Sequence, residues 1–347
     1  MTVPCRIFGL AVLALVAGPV FGEPSPSPIA PALAVLPAAG GREAEALPPE
    51  CVGGGFSKYA TEHYLVVHAA TEAWAADLGR TLEWARGRFC RAMKDAGLPV
   101  ADTAPRMMWV CFPNHDDFNA YARSADHADM AWLDEYYSAR TNRVAMVCRR
   151  APAGPRADVL PAGAPGPVGP EAAAAASPVD GAAARGLDVI RATHEAVHQL
   201  SFNTGLMRRG VMYPLWVSEG MATNFEADPA GDSGRGNTAR CGDLLGRKAR
   251  GTLLPLDRFV ICCRVPSGDP EAVGELYAQA WGFFRFVFQE RREGLRKYLA
   301  ALAAKEPGRR DEAALRREFT QAFGPVEALE QPWGKFLQTC AVPDGTH

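Results

Sequence analysis

Beyond residue 22 the chain has no long uncharged apolar run, because charged residues interrupt every candidate, so no segment there reads as a membrane span. No C-x-x-C pair occurs among its nine cysteines, which removes support for a cysteine-built zinc knuckle. Lysine and arginine are scattered, and the net charge is only -2. That gives no electrostatic case for nucleic acid or for an anionic membrane as partner. No internal repeat is visible. Histidine is scarce as well, with seven in 347 residues. Two of the seven nevertheless stand four apart in "ATHEAVHQL" (192–200), with a glutamate directly after the first.

The opening stretch, "MTVPCRIFGLAVLALVAGPVFG", has Arg6 as its only early charge, an apolar run from Ile7 to Val20, and small residues ending at Gly22. This is the pattern of a secretory signal over 1–22. An apolar run of about 14 residues is too short to anchor comfortably in a bilayer. No cysteine closes the run, so a lipid anchor is not expected. The expectation is an exported protein, secreted or periplasmic, with no membrane insertion in its mature form. Losing Cys5 leaves Cys51, Cys90, Cys111, Cys148, Cys241, Cys262, Cys263 and Cys340. In an oxidising compartment these suggest up to four disulfides of unreadable connectivity. The adjacent Cys262 and Cys263 would strain if joined, so each is expected to seek a distant partner.

Residues 23–55 are rich in proline and alanine and read as a flexible linker. Strands are expected at "HYLVVH" (63–68), "RMMWVCF" (106–112) and "NRVAMVC" (142–148). Between the first two, Trp74, Leu78, Leu82, Phe89 and Met93 fall at helical spacing. A short helix carrying Phe118 and Tyr121 follows the Pro113-Asn114 turn. Residues 151–183, centred on "PAGAPGPVGPEAAAAASP", lack core-forming side chains and read as a surface insertion. Helical pattern then dominates at about 185–203, 214–229, 269–304, 311–323 and 326–339. Strands first and helices afterwards indicate one α+β domain over 56–347, interrupted by that insertion.

On the 185–203 helix, Leu187, Ile190, His194, Val197 and His198 share one stripe. Residues four apart on a helix place two imidazoles within reach of one tetrahedral ion. Glu195 leaves the axis roughly 100° away, where a general base belongs. A lone histidine on such a stripe is commonly a hydrogen-bonded core residue, so a further ligand has to be found. "YPLWVSEGMATNFEAD" (213–228) supplies one: Pro214 starts a helix and Glu219 falls in its second turn. His194, His198 and Glu219 make a three-ligand set that leaves one position open, and one zinc per chain is expected. Gly220 and Ala222 would let this helix cross the histidine helix closely.

H-E-x-x-H followed about twenty residues later by W-x-x-E-G-x-A resembles the gluzincin metallopeptidases, the clan of thermolysin and the aminopeptidases. "THEAVHQL", "PLWVSEGMATNFE" and "YAQAWGFFRF" together are similar to a group of exported bacterial gluzincin-like proteins of uncharacterised function. The resemblance implies a zincin-like fold, zinc on His194, His198 and Glu219, Glu195 as base, and a peptide or protein substrate. It makes 142–148 the sheet edge that receives an extended substrate. It offers Tyr277, from a downstream helix, as donor to the oxyanion, although Leu276, Ala280, Phe283, Phe284 and Val287 also make that segment a core helix. One departure stands out: the family's supporting Asp, four residues beyond the glutamate ligand, is Thr223 here. Glu226 is the candidate substitute and also the rival third ligand.

Two other motifs have plainer readings. "AGDSGRG" (230–236) carries the Gly-Asp-Ser-Gly of trypsin-like proteases, but those are built from many strands and this half is helical; a Gly-rich loop suffices. In "NHDDF" (114–118), Asn114 capping a helix with acids in its first turn explains the sequence better than a metal loop. The function expected is zinc-dependent peptide-bond hydrolysis. The competing class is a non-enzymatic exported module that keeps zinc for structure or binds a cell-envelope partner. Glu195 separates the two, since a structural site has no use for a base.

Overall fold

A computed structural model describes residues 55–103, 105–131, 133–148, 188–226, 238–264 and 270–339. The expected signal, nearly all of the linker, the insertion at 151–183, the 230–236 loop, Cys51 and Cys340 lie outside the described residues.

The N-terminal half builds a mixed five-stranded sheet from β1 (Ser57–Ala60), β2 (Tyr64–His68), β3 (Met107–Phe112), β4 (Glu135–Ser138) and β5 (Arg143–Val147), in the order β1-β2-β3-β5-β4. β2, β3 and β5 run parallel, while β1 and β4 are antiparallel edges. The parallel pair β2–β3 needs a crossover, and α1 (Glu72–Asp95) provides it, capped where Thr71 accepts from the Trp74 amide. Its buried face carries Trp74, Leu78, Leu82, Phe89 and Met93, as its period predicts.

β1 is largely exposed, but β2 to β5 are buried on both faces, and alternate residues serve different layers. Leu65, Val67, Met108, Val110, Phe112 and Ala145 pack with Phe118 and Tyr121 of α2 (His115–Tyr121). Tyr64, Val66, Trp109, Cys111, Val144 and Met146 face α1 and α3 (Val189–Asn203), in a buried cluster that continues into the C-terminal helices. Asn114 does cap α2, its Oδ1 accepting from the Asp117 amide at 2.9 Å.

The C-terminal half is helical: α4 (Leu215–Asn224), α5 (Thr238–Arg250), α6 (Leu256–Phe259), α7 (Pro270–Glu290), α8 (Arg292–Ala303), α9 (Glu312–Phe323) and α10 (Glu327–Thr339). The expected 269–304 helix is two, broken at Arg291, whose φ of -134° leaves the helical region. Trp216 ties this half together. It stacks on Tyr298, meets the edges of Phe283, Phe319 and Phe323, and donates from Nε1 to the Val260 carbonyl at 3.1 Å.

Two corrections follow. The strand at 143–147 is internal, and the edge is β4, "EYYS", too short and too polar at its ends to show a strand period. Among the described residues no two cysteines are joined in a disulfide, and Cys262 and Cys263 are both thiols. No described helix is long and apolar enough to cross a membrane.

Candidate metal centre

Local sequence sets each arm of the site. Asp188 caps α3, accepting from the Arg191 amide at 3.2 Å, and the helix ends before Gly205, whose φ of 82° suits glycine. The roll of α3 against the sheet is fixed by Gln199, directly after His198. Its Oε1 accepts from Trp109 Nε1 at 2.9 Å, and its Nε2 donates to the carbonyls of Met108 (3.2 Å) and Asn142 (3.1 Å). A buried amide with three such bonds tolerates little rotation of the helix.

α4 starts where the Leu215 amide donates to the Cys262 carbonyl at 2.8 Å. It is pressed onto α7: a Cβ on Gly220 would lie 2.5 Å from the Ala280 carbonyl oxygen and 2.8 Å from Phe284 Cβ. Asn224 clamps the far end by donating to the Trp281 carbonyl at 2.8 Å. Gly220 therefore permits close approach to α7, not to the histidine helix as its place in the motif suggests.

These arms bring all five expected side chains together. His194 Nε2 and His198 Nε2 are 3.0 Å apart, and Glu219 Oε2 lies 3.4 Å from the first and 3.5 Å from the second. Ligands held at about 2.0–2.2 Å by a tetrahedral zinc are separated by about 3.3–3.6 Å. Glu195 also lies within 4.8 Å of both imidazoles, so the buried His194–Glu195–His198 group can hold a metal ion. The atoms that converge most closely are those of the two histidines and Glu219, and Glu195 stands beside them. The Tyr277 ring stacks over His194 with centroids 6.5 Å apart.

The fit to a cation rests on the carboxylates. Both oxygens of Glu219 and both of Glu195 are buried and none has a well-formed hydrogen bond, although the Tyr137 amide faces Glu195, and the Tyr277 hydroxyl and the two imidazoles face Glu219. Four such atoms beside two imidazoles would cost several kcal/mol unless a cation or water meets them.

The titration behaviour follows from the same crowding. Burial would raise Glu219, but the facing imidazoles of His198 and His194 outweigh it and bring it to about 2. Burial opposes the charged form of His194, yet Glu219 and Glu226 push it up to about 10. Burial lifts Glu195 to about 8, with Glu135 and Glu219 adding to the rise and His194 opposing it. Tyr277 is raised well above the phenol range by burial and then by the neighbouring Glu219 and Glu195.

His194 Nδ1 meets Glu226 Oε1 at 3.0 Å, and Arg240 grips that carboxylate from Nη2 at 2.8 Å and Nε at 3.2 Å. With Nδ1 donating, Nε2 is left bare for a metal. Glu226 thus lies on the Nδ1 side of His194, where it can support that histidine, and away from the converging Nε2 atoms. Thr223 does not serve that role: its hydroxyl bonds back to the Glu219 carbonyl at 2.6 Å.

Residues 188–246 match a family described as a protein of unknown function, DUF1570. No curated protein matches the chain. The matched segment runs from the cap of α3 through α4 into α5, and so holds His194, Glu195, His198, Glu219, Glu226 and Arg240. Tyr277 lies beyond it.

Three residues at the site escaped the motif: Arg240, Gln199 and Glu135. Arg240 comes from α5, which packs through Leu244 and Cys241, and nothing in its sequence points to Glu226. Glu135 is buried on β4 and bonded to Arg191 Nη1 at 3.0 Å; burial lifts it to about 7 against the pull of Arg191.

Proposed function

We propose that this protein is a zinc-dependent metallopeptidase of gluzincin type, with a zincin-like fold, acting on peptides or proteins outside the cytoplasm. The observation that carries the reading is the triangle of His194, His198 and Glu219 ligand atoms, with the buried Glu195 carboxylate beside it. His194, His198 and Glu219 would hold the zinc, which would supply Lewis acidity toward a carbonyl and a water.

The remaining chemistry belongs to the chain's own groups. Glu195 takes a proton from the attacking water and delivers it to the departing amine. Burial raises Glu195 to about 8, and a dication held nearby would favour its charged form. Tyr277 donates its hydroxyl proton in a hydrogen bond to the developing oxyanion. Glu226 keeps the His194 tautomer that leaves Nε2 free.

β4 is the strand along which an extended substrate would lie. The Val147 amide donates to the Asp134 carbonyl at 2.8 Å, so Asp134, Tyr136 and Ser138 turn their peptide groups toward β5. Glu135 and Tyr137 then turn theirs away from β5, where the Tyr137 amide faces Glu195; all four residues of β4 are buried, so a substrate strand pairing there would have to displace what covers them.

Full burial of His194, Glu195, His198 and Glu219 favours a second reading, a closed module that keeps zinc for structure. Glu195→Gln decides. In a peptidase it keeps zinc and melting temperature but loses hydrolysis by about a thousandfold or more. If wild type holds zinc tightly and cleaves nothing across broad peptide libraries, the structural module is correct.

A further inference from the structure

The helix that carries Glu219 starts on a distant carbonyl instead of a side-chain cap. Pro214, which precedes α4, makes no side-chain cap bond, and the Leu215 amide donates to the Cys262 carbonyl at 2.8 Å. Trp216 Nε1 donates to the Val260 carbonyl at 3.1 Å. The segment after α6, 260–263, therefore holds the start of α4 through two peptide oxygens. The same segment ends in two adjacent thiols. Cys262 and Cys263 are both half-buried, whereas Cys111 and Cys148 are buried. Each makes a weak local bond: Cys262 Sγ donates to the Arg264 carbonyl and Cys263 Sγ to the Ile261 carbonyl, both at 3.4 Å. Burial pushes both thiols up, Cys263 to about 12, so attack on an oxidant proceeds through a small thiolate fraction.

Oxidation of an adjacent pair is coupled to the helix by geometry. Consecutive Cα atoms are about 3.8 Å apart across a trans peptide, closer than the roughly 4.4–6.8 Å of ordinary disulfides. A bond between Cys262 and Cys263 therefore closes only if the peptide group between them twists. That peptide group contains the Cys262 carbonyl. Its rotation takes the acceptor away from the Leu215 amide and leaves a buried donor unpaired at the start of α4.

We infer that Cys262 and Cys263 form a reversible oxidation site, closing to a vicinal disulfide that releases the start of α4 and shifts Glu219. The oxidant is a low-molecular-weight disulfide, R–S–S–R. Cys262, whose Sγ contact is the more exposed of the two, loses its proton and attacks one sulfur of the reagent; the departing R–S takes up that proton. Cys263 then loses its proton, attacks the Cys262 sulfur and displaces the second R–S, which is protonated in turn. Two protein S–H groups and one R–S–S–R become one protein S–S bond and two R–SH, and two electrons pass from the cysteines to the reagent. Strain makes the bond easy to reduce, so excess thiol reverses the step. The effect on the metal rests on the zinc reading above; the oxidation site and its hold on α4 do not.

The test exposes the reduced full chain to glutathione disulfide at a series of ratios to glutathione. Cleavage after Arg258 and Arg264 isolates residues 259–264, "FVICCR", with both cysteines. That peptide should return two hydrogens lighter, and dithiothreitol should restore it. In the oxidised metal-free protein, amide hydrogen exchange over 215–219 should quicken by about tenfold. Zinc affinity, read by chelator competition, should fall by about tenfold as well. Cys262→Ser and Cys263→Ser should bind zinc like the reduced wild type and show neither change on oxidation, even with glutathione on the remaining thiol. Recovery of 259–264 with both thiols intact, or joined to Cys51, Cys340 or any other cysteine, overturns the proposal. So does a closed ring that leaves exchange over 215–219 unchanged, or a Ser variant that loosens on oxidation as much as wild type. If the protein binds no zinc, the zinc reading fails by itself, and the peptide mapping and hydrogen exchange still decide this site.

Discussion

Removing the support behind His194 should weaken metal binding without touching a ligand. Glu226 accepts from His194 Nδ1 at 3.0 Å and is itself fixed by two Arg240 contacts, at 2.8 and 3.2 Å. Glu226→Gln keeps an oxygen acceptor but removes the charge that makes the imidazole a better ligand. Losing such a partner costs about 10–100-fold in metal affinity, and Gln belongs at the low end. Glu226→Ala loses the acceptor too, so the high end applies, about 2.7 kcal/mol. It also removes both contacts between Glu226 and Arg240, whose side chain is 19 % exposed. A broken buried pair costs about 3 kcal/mol or more, which in a domain of this size lowers the melting temperature of the metal-free protein by about 6 °C or more. Competition titration against a chromophoric chelator at fixed pH reads the first effect, and thermal unfolding the second. Zinc affinity within twofold of wild type in Glu226→Ala would refute the role given to this carboxylate.

Zinc binding should be linked to pH through His194. In the metal-free protein its value is raised to about 10, so the ion pair with Glu219 and Glu226 stabilises the fold below the ordinary histidine range and is lost as pH rises through 10. Zinc must displace that proton, so affinity should rise about tenfold per unit between pH 7 and 8. Calorimetry in buffers of different ionisation enthalpy should show about one proton or more released per zinc, with one zinc per chain and none in His198→Ala; no release would contradict the assignment. Gly220→Ala should cost about 1–3 kcal/mol by forcing α4 away from the Ala280 carbonyl, and it should loosen zinc because Glu219 moves with the helix. An unchanged melting temperature would mean that this contact is slack. Replacing residues 151–183 by a short Gly/Ser linker should leave the melting temperature nearly unchanged; a fall of more than about 10 °C would show that the segment packs.

Local pattern was enough for a large share of this protein. The helical period of 72–95 and 189–203, the capping of α2 by Asn114, and the placing of His194 and His198 on one face all follow from residues within a few positions of each other. Glu219 was legible because Pro214, Trp216 and Gly220 mark a helix start and a close approach. What the sequence left open depends on residues far apart. β4 is an edge strand only because β5 enters the sheet between it and β3, and four residues with polar ends carry no period of their own. Gly220 meets α7 and not α3, Arg240 reaches Glu226 across a gap of fourteen residues, and Gln199 locks the histidine helix through Trp109, Met108 and Asn142. Periodicity reports which side of an element is buried. It does not report which distant group is waiting there, because that choice is made by packing in three dimensions.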